Sequence, residues 1–380
     1  MSKEHFSIPE AQSSTLIPVD LLISIFSLVP AKSAARFRCV SKFWASIIRR
    51  RDFTELFLSK SFTRPRLFFA LHYNRKLFLF STPQPHNPDG NTDPLIATPY
   101  YNSFPEYFPS DTSTPVCGLV LLHGWRRKVR VICNPATGEF LTLPKVLLKE
   151  KNLLAKSNQA REEIASMYLG YDPMGKQFKV LCMTTTHYGI RDNTHQVLTL
   201  GSGKRFWRPV QRKFQFVENR VISREICING VLYFGARTER STTIVCFDVG
   251  SEKFSFINTN RDMMYSCYMG SLTLFNYKGR LAIHRKVDSY QKRLMFWVIE
   301  DAENHKWSKH IYELSPLEKD MISYSRFVGM TGTGELVWSL YREPANSVYL
   351  TFVKLLQKSM FRDLKSLKSM RMILYILRPM

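Results

Sequence analysis

The apolar residues near the start of the chain recur at helical spacing. Between Pro18 and Pro30 the large apolar residues fall three or four positions apart, which is typical of an α-helix. They are Leu21, Leu22, Ile25, Phe26, Leu28 and Val29. Pro18 suits a first helical position because its φ is fixed and it has no N–H, and Pro30 ends the helix. These residues cover more of the helix circumference than one small core can hide.

Two further short helices are predicted after Pro30. Ala34, Phe37 and Val40 suit the second, and Ser41 is a suitable N-cap for the third. The apolar residues of the third helix are Phe43, Trp44, Ile47 and Ile48. A unit this small cannot stand alone, so part of its apolar surface needs a partner. The pattern therefore predicts docking as the function of this segment.

The same residues carry a family resemblance. Residues 14–60 resemble an F-box, and the run from 30 to 69, PAKSAARFRCVSKFWASIIRRRDFTELFLSKSFTRPRLFF, resembles plant F-box proteins with an F-box-associated (type 3-like) domain. The resemblance implies a Skp-type adaptor as partner, and through it a cullin ubiquitin ligase. The adaptor contacts it implies are Pro18, Leu21, Leu22, Ile25, Leu28, Val40 and Trp44. Ser24 and the pair at 34–35 depart from the family pattern, which implies a weaker adaptor contact.

A second interpretation of the helical spacing stays open. An ordinary helical hairpin, folded back onto the domain that follows it, would show the same apolar stripe. The joint presence of Pro18, Trp44 and an apolar excess favours docking, because aromatic anchors in desolvated pockets dominate protein interfaces.

Beyond about residue 65 the pattern changes to short aromatic and β-branched runs separated by Gly, Pro, Asn and Asp, which predicts strands. Similar stretches begin at Gly118, Gly230, Gly279 and Gly334. In the complete copies, and in a partial copy at 197–210, an aromatic residue follows a polar turn. These aromatics are Phe140, Trp207, Phe254 and Trp307. A recurrence of roughly fifty residues suits the sheets of a β-propeller.

The fold class predicted is α+β and multidomain: a short helical F-box followed by a mainly-β, propeller-like domain with kelch-like repeats that lack paired glycines. Residues 167–183 and 331–344 resemble stretches of the F-box-associated domain. The domains expected are a flexible N-terminus at 1–13, the F-box at 14–60, the β domain at 61–345 and an atypical basic amphipathic tail at 346–380. A two-sheet sandwich is the competing architecture.

Three segments interrupt the repeats. Residues 82–114, rich in Pro, Ser, Thr, Asn and Asp, predict a long surface loop. Residues 145–165 are charged and fit a short surface helix or a mobile segment. In the tail, apolar and lysine residues fall on different faces of a helix, as in helices that lie on membranes or bind calmodulin-like partners. The favoured interpretation is that an altered C-terminus replaces the closing strands of the β domain, so that the last sheet closes badly.

Composition limits the remaining possibilities. The chain has 380 residues, 44% of them hydrophobic, and a formal charge of +23. The basic residues form short separate knots, and this argues against nucleic-acid binding, which needs one basic stripe with interleaved aromatics. Neither a signal peptide nor an apolar run long enough for a membrane span is recognised. Seven widely spaced cysteines fit a reducing compartment, so the nucleus, the cytoplasm or both are expected.

No catalytic, cofactor or metal site is predicted. The run at 201–204, Gly-Ser-Gly-Lys, lacks the earlier glycine and the following Ser or Thr of a phosphate loop, so a hairpin turn explains it better. The histidines are scattered and are expected to be satisfied surface residues. The sequence predicts a non-catalytic substrate-recognition subunit of a Skp–cullin–F-box ubiquitin ligase with an unknown target protein. The alternative is a β-propeller module that binds acidic protein or nucleic acid without ubiquitin chemistry.

Overall fold

A computed structural model of the chain describes residues 17–62, 66–73, 76–83, 98–101, 111–123, 129–146, 148, 162–186, 195–201, 203, 205–211, 216–218, 221–238, 241–264, 272–286, 293–323, 325–332, 334–340, 347–354, 360–365 and 371–377. The chain folds into two compact units that meet in sequence between Thr63 and Arg64.

The first unit is helical. Its helices are α1 (Val19–Phe26), α2 (Ala31–Phe37), α3 (Lys42–Ile48) and α4 (Arg51–Phe62). Pro18 and Pro30 stand immediately before α1 and α2, and Ser41 caps α3, so the three predicted helices are present. Their predicted ends are wrong, because α1 ends at Phe26 before it reaches Pro30 and α2 ends before Val40. α4 was not predicted. It begins at Arg51, the last residue of the basic run Arg49–Arg51, and such a run at this place suggests the end of α3.

The second unit contains six β-sheets within the described residues. Sheet 1 has β1 (Arg66–Tyr73), β2 (Lys76–Pro83) and β3 (Thr98–Tyr101), and sheet 2 has β4 (Asp111–Thr112), β5 (Val120–His123), β6 (Val131–Asn134) and β7 (Glu139–Thr142). Sheet 3 has β8 (Glu162–Asp172), β9 (Gln177–Thr186), β10 (Gln196–Leu200) and β11 (Arg208–Pro209). The next strands in the chain are β12 (Val217–Glu218), β13 (Ile222–Ser223) and β14 (Ile226–Ile228).

Sheet 4 combines β12 and β14 with β15 (Val231–Arg237), β16 (Thr242–Asp248) and β17 (Phe254–Asn258), which the short helix α5 (Arg261–Met264) follows. Sheet 5 combines β13 with β18 (Leu272–Tyr277), β19 (Arg280–Arg285), β20 (Arg293–Asp301) and β21 (Lys306–Glu313). Helix α6 (Pro316–Ser323) leads to sheet 6, which has β22 (Ser325–Met330), β23 (Glu335–Leu340), β24 (Ser347–Lys354) and β25 (Met360–Lys365). The last strand, β26 (Arg371–Leu377), joins sheet 1.

The core of the second unit lies between consecutive sheets. In the described residues, buried apolar side chains form clusters that join sheet 1 to 2, 2 to 3, 3 to 4, 4 to 5 and 5 to 6. The cluster between sheets 5 and 6, for example, contains Phe275, Phe296, Phe327 and Trp338. Each sheet is therefore buried by its neighbours, as in a propeller.

The ring closes through the last strand of the chain. β26 pairs antiparallel with β1 from Arg66↔Leu377 to His72↔Arg371, and β22 of sheet 6 also contacts β26. Sheet 6 therefore follows on to sheet 1. The predicted propeller-like β domain is confirmed, and the two-sheet sandwich is not what the chain forms.

The predicted helical character of residues 346–380 is wrong. β24, β25 and β26 occupy most of this segment, and they include the closing strands that the favoured interpretation treated as lost. Val348, Leu350 and Phe352 are apolar and two residues apart, which is the period of a strand. The same segment also contains apolar residues at helical spacing, and these gave the wrong prediction. β26 and its partner β1 are separated by about three hundred residues in sequence, so no local pattern predicts that they pair.

The repeated glycines hold the backbone conformation expected of them. Gly118, Gly230, Gly279 and Gly334 have φ values of 81°, 83°, 86° and 95° and precede strands. Residues that have a Cβ rarely adopt this left-handed backbone conformation, whereas glycine adopts it readily. At Gly230 a Cβ would also lie 2.8 Å from the Cδ of Pro173, so a glycine is required there twice over.

The repeated aromatics lie in or next to the last strand of each sheet. Two of them tie their sheet to the preceding one: Trp207 Nε1 donates to the carbonyl of Pro144 at 2.8 Å, and Trp307 Nε1 donates to the carbonyl of Asn258 at 3.0 Å. Phe254 is buried, whereas Phe140 is 52% exposed and does not fill the space between sheets. The recurrence of an aromatic at this position suggests a residue that fills the space between adjacent sheets, and Phe140 does not have this role.

The two internal insertions contain strands. β3 and β4 lie within the loop expected at 82–114, and β8 begins at Glu162 within the segment expected as helix or mobile chain. The remainder of both segments is largely outside the described residues. Gly201 lies between β10 and β11, which agrees with the predicted hairpin connection, although Ser202 and Lys204 are outside the described residues.

Two histidines among the described residues, His195 and His284, contradict the expectation of a surface role, because both are buried. His284 on β19 is 3% exposed and stacks on Phe327 with ring centroids 4.2 Å apart. Its Nε2 has no hydrogen-bond partner among the described residues. Burial, with a smaller effect of the Arg285 charge, lowers the pKa of His284 to about 3. The imidazole is therefore neutral in the folded protein.

This burial predicts that acid destabilises the fold. The unfolded chain binds a proton at His284 below pH ~6.5 while the folded chain binds none until about pH 3, so the free energy of unfolding falls as the pH drops through this window. One such proton corresponds to a slope of about 1.4 kcal/mol per pH unit. Urea unfolding between pH 6 and 4.5 should show a smaller slope for His284→Gln than for the natural chain. Equal slopes in this window would contradict the assignment, and between pH 7 and 8 the two should agree.

Ring closure predicts a specific effect of truncation. Removing residues 371–380 deletes β26 and exposes β1, so the free energy of unfolding should fall by about 3 kcal/mol or more and the Tm by roughly 5 °C. Removing 378–380 alone is the control, because β26 is kept. Equal melting curves for the two truncations would show that β26 does not close the ring.

Candidate protein interface

An aromatic cluster holds the helices of the first unit together. The Ser41 Oγ accepts a hydrogen bond from the Trp44 N–H at 3.0 Å, which fixes the start of α3. The Trp44 ring then packs on Phe26 and Phe37 with centroids 4.7 and 5.2 Å apart. Because these rings come from α1, α2 and α3, the cap on α3 sets the position at which all three helices meet.

A stripe of α1 is left uncovered by this packing. Leu21, Ile25 and Leu28 are 54%, 49% and 51% exposed. Leu21 and Ile25 are four residues apart and lie on one side of α1. Leu28 lies in the turn that follows α1, where its N–H donates to the Ile25 carbonyl at 3.0 Å, so it extends the apolar stripe past the end of the helix. Val40, in the turn between α2 and α3, is 61% exposed. The apolar excess that the sequence indicated is therefore real surface.

The predicted contact residues do not all lie on this surface. Pro18 is exposed with the residues of the stripe, and Trp44 is half-buried. Leu22 is 6% exposed and packs in the core of the unit with Ile23 and Phe26. A shift of one position turns a helical side chain by about 100°, which moves Leu22 from the stripe to the core. The structure thus gives Leu22 a packing role.

Two other exposed apolar residues of this unit were not among the predicted contacts. Ile17 and Phe43 are 44% and 38% exposed. Phe43 was predicted as one of the apolar residues of α3. In the structure Phe43 is exposed, whereas its neighbour Trp44 packs on Phe26 and Phe37. Ile17 lies before the helix, where helical spacing gives no signal, although a single apolar residue ahead of an N-terminal proline was visible in the sequence.

Two exposed ion pairs lie at the start of α4. Arg50, which directly precedes α4, pairs with Asp52 at 2.7 Å, and Arg51 pairs with Glu55 at 2.9 Å. The hydrogen bond from Arg50 holds the pKa of Asp52 below its usual value. Both pairs are exposed and add little stability. Arg50 and Arg51 belong to a run of three consecutive arginines, Arg49–Arg51, which is one of the short basic runs in the sequence.

Most of the described cysteines are buried or half-buried. Burial raises the pKa of Cys133 and Cys246 to about 12 and that of Cys227 to about 11. Cys39 differs from these residues. It lies in the turn after α2 and is exposed. Within the described residues no group of His, Cys, Asp and Glu is placed to hold a metal ion.

Family models match both units. The model of the F-box domain matches residues 15–56, and that of the F-box associated beta propeller domain matches residues 66–369. The chain belongs to the F-box proteins with an F-box-associated domain. The second match includes β24 and β25, so the family pattern continues past residue 345.

Relatives agree over nearly the whole F-box protein. An F-box protein of Arabidopsis thaliana is 43% identical over 333 residues, covering 86% of this chain and 71% of the relative. The F-box protein DOR of the same species is 41% identical over 356 residues, covering 89% and 85%. Among solved structures, the WD40 domain of SCAP from fission yeast is similar with a TM-score of 0.37 at 10% identity, covering 78% of this chain and 83% of that one. So distant a likeness adds nothing to the sheet order.

The departures from the family pattern affect packing as well as surface. Ala34 is 5% exposed and belongs to the core of the F-box, while Ala35 is half-buried. The carbonyl of Ser24 accepts a hydrogen bond from the Ser27 hydroxyl at 2.6 Å, near the end of α1. No described helix has the length and apolar content that a membrane crossing requires.

The cap on α3 gives a test of how the F-box is held together. Ser41→Ala removes the hydrogen bond to Trp44, and such changes cost about 1 kcal/mol. We expect faster amide hydrogen exchange over residues 42–48, since loss of the cap frees the start of α3. Ser46→Ala is the matched control, because the Ser46 hydroxyl donates to the Phe43 carbonyl within the helix and caps nothing. Equal exchange in the two variants would contradict the role given to Ser41.

Proposed function

We propose that this F-box protein is the substrate-recognition subunit of a Skp–cullin–F-box ubiquitin ligase. The F-box docks on a Skp-type adaptor, the β domain holds a target protein, and the chain itself supplies no catalytic group. The observation that carries the proposal is the apolar stripe of α1, which the folded chain leaves open.

The stripe offers enough apolar area for a stable contact. Burying a leucine or isoleucine side chain completely contributes about 1.5–3 kcal/mol, so half-exposed side chains at Leu21, Ile25 and Leu28 each retain roughly 1 kcal/mol to gain from a partner. Val40 and Phe43 extend the contact beyond α1. The adaptor contacts we propose are Pro18, Leu21, Ile25, Leu28 and Val40, with Trp44 as the half-buried anchor that positions them.

The mechanism is proximity. A target held by the β domain is brought to the same complex as the charged ubiquitin-conjugating enzyme, so its lysines react at a raised effective concentration. A ring of sheets packed on one another is a stiff support for this task, because its interior is close-packed. The chemistry of ubiquitin transfer then belongs to other subunits.

Charge placed on the stripe tests adaptor docking. In the full chain, Leu21→Asp and Ile25→Asp should each weaken binding to a purified Skp-type adaptor at least about tenfold, because a carboxylate would be desolvated in an apolar contact. Isothermal titration measures this directly. Leu22→Asp is unsuitable, since it would disrupt the core instead of the contact.

Leu58→Asp is the matched control. Leu58 is a leucine of the same unit, 37% exposed, that lies on α4 beyond the residues matched by the F-box model. It should bind the adaptor like the natural chain. Equal loss in Leu21→Asp and Leu58→Asp, or no loss in either, would remove the stripe as the docking surface.

A further inference from the structure

A group of cations meets on the side of sheet 5 in the β domain. Arg285 ends β19, Lys309 lies in β21, and both charged groups are 5.8 Å from the ring centroid of Trp297 in β20. Asp262 of α5 joins them: its carboxylate Oδ2 is 3.2 Å from Lys309 Nζ and its carbonyl accepts from Arg285 Nη1 at 3.2 Å. Three consecutive strands, β19, β20 and β21, thus bring two cations to one indole.

In the described part of the chain, the Arg285 guanidinium contacts uncharged groups. Its guanidinium donates to the carbonyl of Asp262 and contacts the sulfur of Met295 at 3.5 Å, and it lies over the ring of Trp297. All three groups are neutral, and in the described part of the chain no carboxylate pairs with this guanidinium. The side chain is partly buried, so water neutralises its charge less well than at an exposed site.

The neighbours of this cluster increase the excess. Arg261 is exposed and directly precedes Asp262 in α5. Asp262 is the carboxylate that contacts the cluster among the described residues, and its Oδ2 is engaged by Lys309. One carboxylate therefore stands against the three cations Arg285, Lys309 and Arg261. A planar guanidinium held in place by a ring and two acceptors is pre-organised to bind an oxyanion.

We propose that this cluster is an anion-binding site that takes carboxylate or phosphate groups from an acidic segment of a partner protein. Arg285 and Lys309 bind the anion, and Asp262 competes with it. A peptide fits better than a nucleic acid, because single strands bind through exposed aromatic faces and Trp297 is 1% exposed. The site deepens the proposed function, on which it rests for the identity of the partner as a ubiquitination target.

The test uses the full chain and a labelled probe. Fluorescence anisotropy at about 0.15 M salt measures binding of a fluorescein-labelled peptide with alternating Glu and Ser, the same peptide with phosphoserines, and a single-stranded DNA of equal charge. At least one peptide should bind. Arg285→Gln should raise its Kd about tenfold, since a charged hydrogen bond is lost, whereas Asp262→Asn should lower the Kd because the competing charge is gone.

Asp262→Asn guards against loss of structure, since a variant that binds more tightly is folded. Lys306→Gln is the matched control: it removes one exposed cation from the same strand, β21, and should change the Kd less than twofold. Which peptide binds distinguishes carboxylate from phosphate. The proposal is overturned if neither peptide binds, if DNA binds more tightly than both, or if Lys306→Gln weakens binding as much as Arg285→Gln. Leu21→Asp should bind the peptides normally, so loss of adaptor docking is read separately.

Discussion

Each sheet of the β domain can bury its apolar faces only against the sheets beside it. Among the described residues no sheet has a core of its own, since the buried clusters lie between one sheet and the next. A row of such sheets would leave two apolar faces open to water at its ends, and only a closed ring removes both. The pairing of β26 with β1 is therefore the constraint on which the fold depends.

Polar contacts fix the angle between sheets that the apolar faces alone would leave free. Lys179 of sheet 3 binds Glu252 of the turn in sheet 4 at 2.7 Å and the carbonyl of Gly250 at 3.1 Å, and Arg208 binds the same carboxylate. Burial raises the pKa of Glu252, but the bonds from Arg208 and Lys179 outweigh it and hold the pKa below its usual value. Directional bonds of this kind specify one geometry, which non-directional burial does not.

Local signals made the repeats predictable and left their closure invisible. Gly230 and Gly279 could be placed at turns because the requirement for positive φ is a property of one residue. The alternation at Val348 and Leu350 is equally local, yet a segment with lysines at helical spacing competes with it. Nothing near β26 shows that its partner is β1, because strand pairing is set by the whole ring.

The same limit divides the two candidate surfaces. The stripe of α1 could be predicted, because Leu21 and Ile25 are related by the helix period alone; only the side on which Leu22 packs needed the other helices. Arg285 and Lys309 stand among many basic residues in the sequence, and nothing there distinguishes them. Their meeting over Trp297 depends on the register of β19, β20 and β21. A docking surface built on one helix is thus legible in a sequence, whereas a site built across strands becomes visible only once the sheet is known.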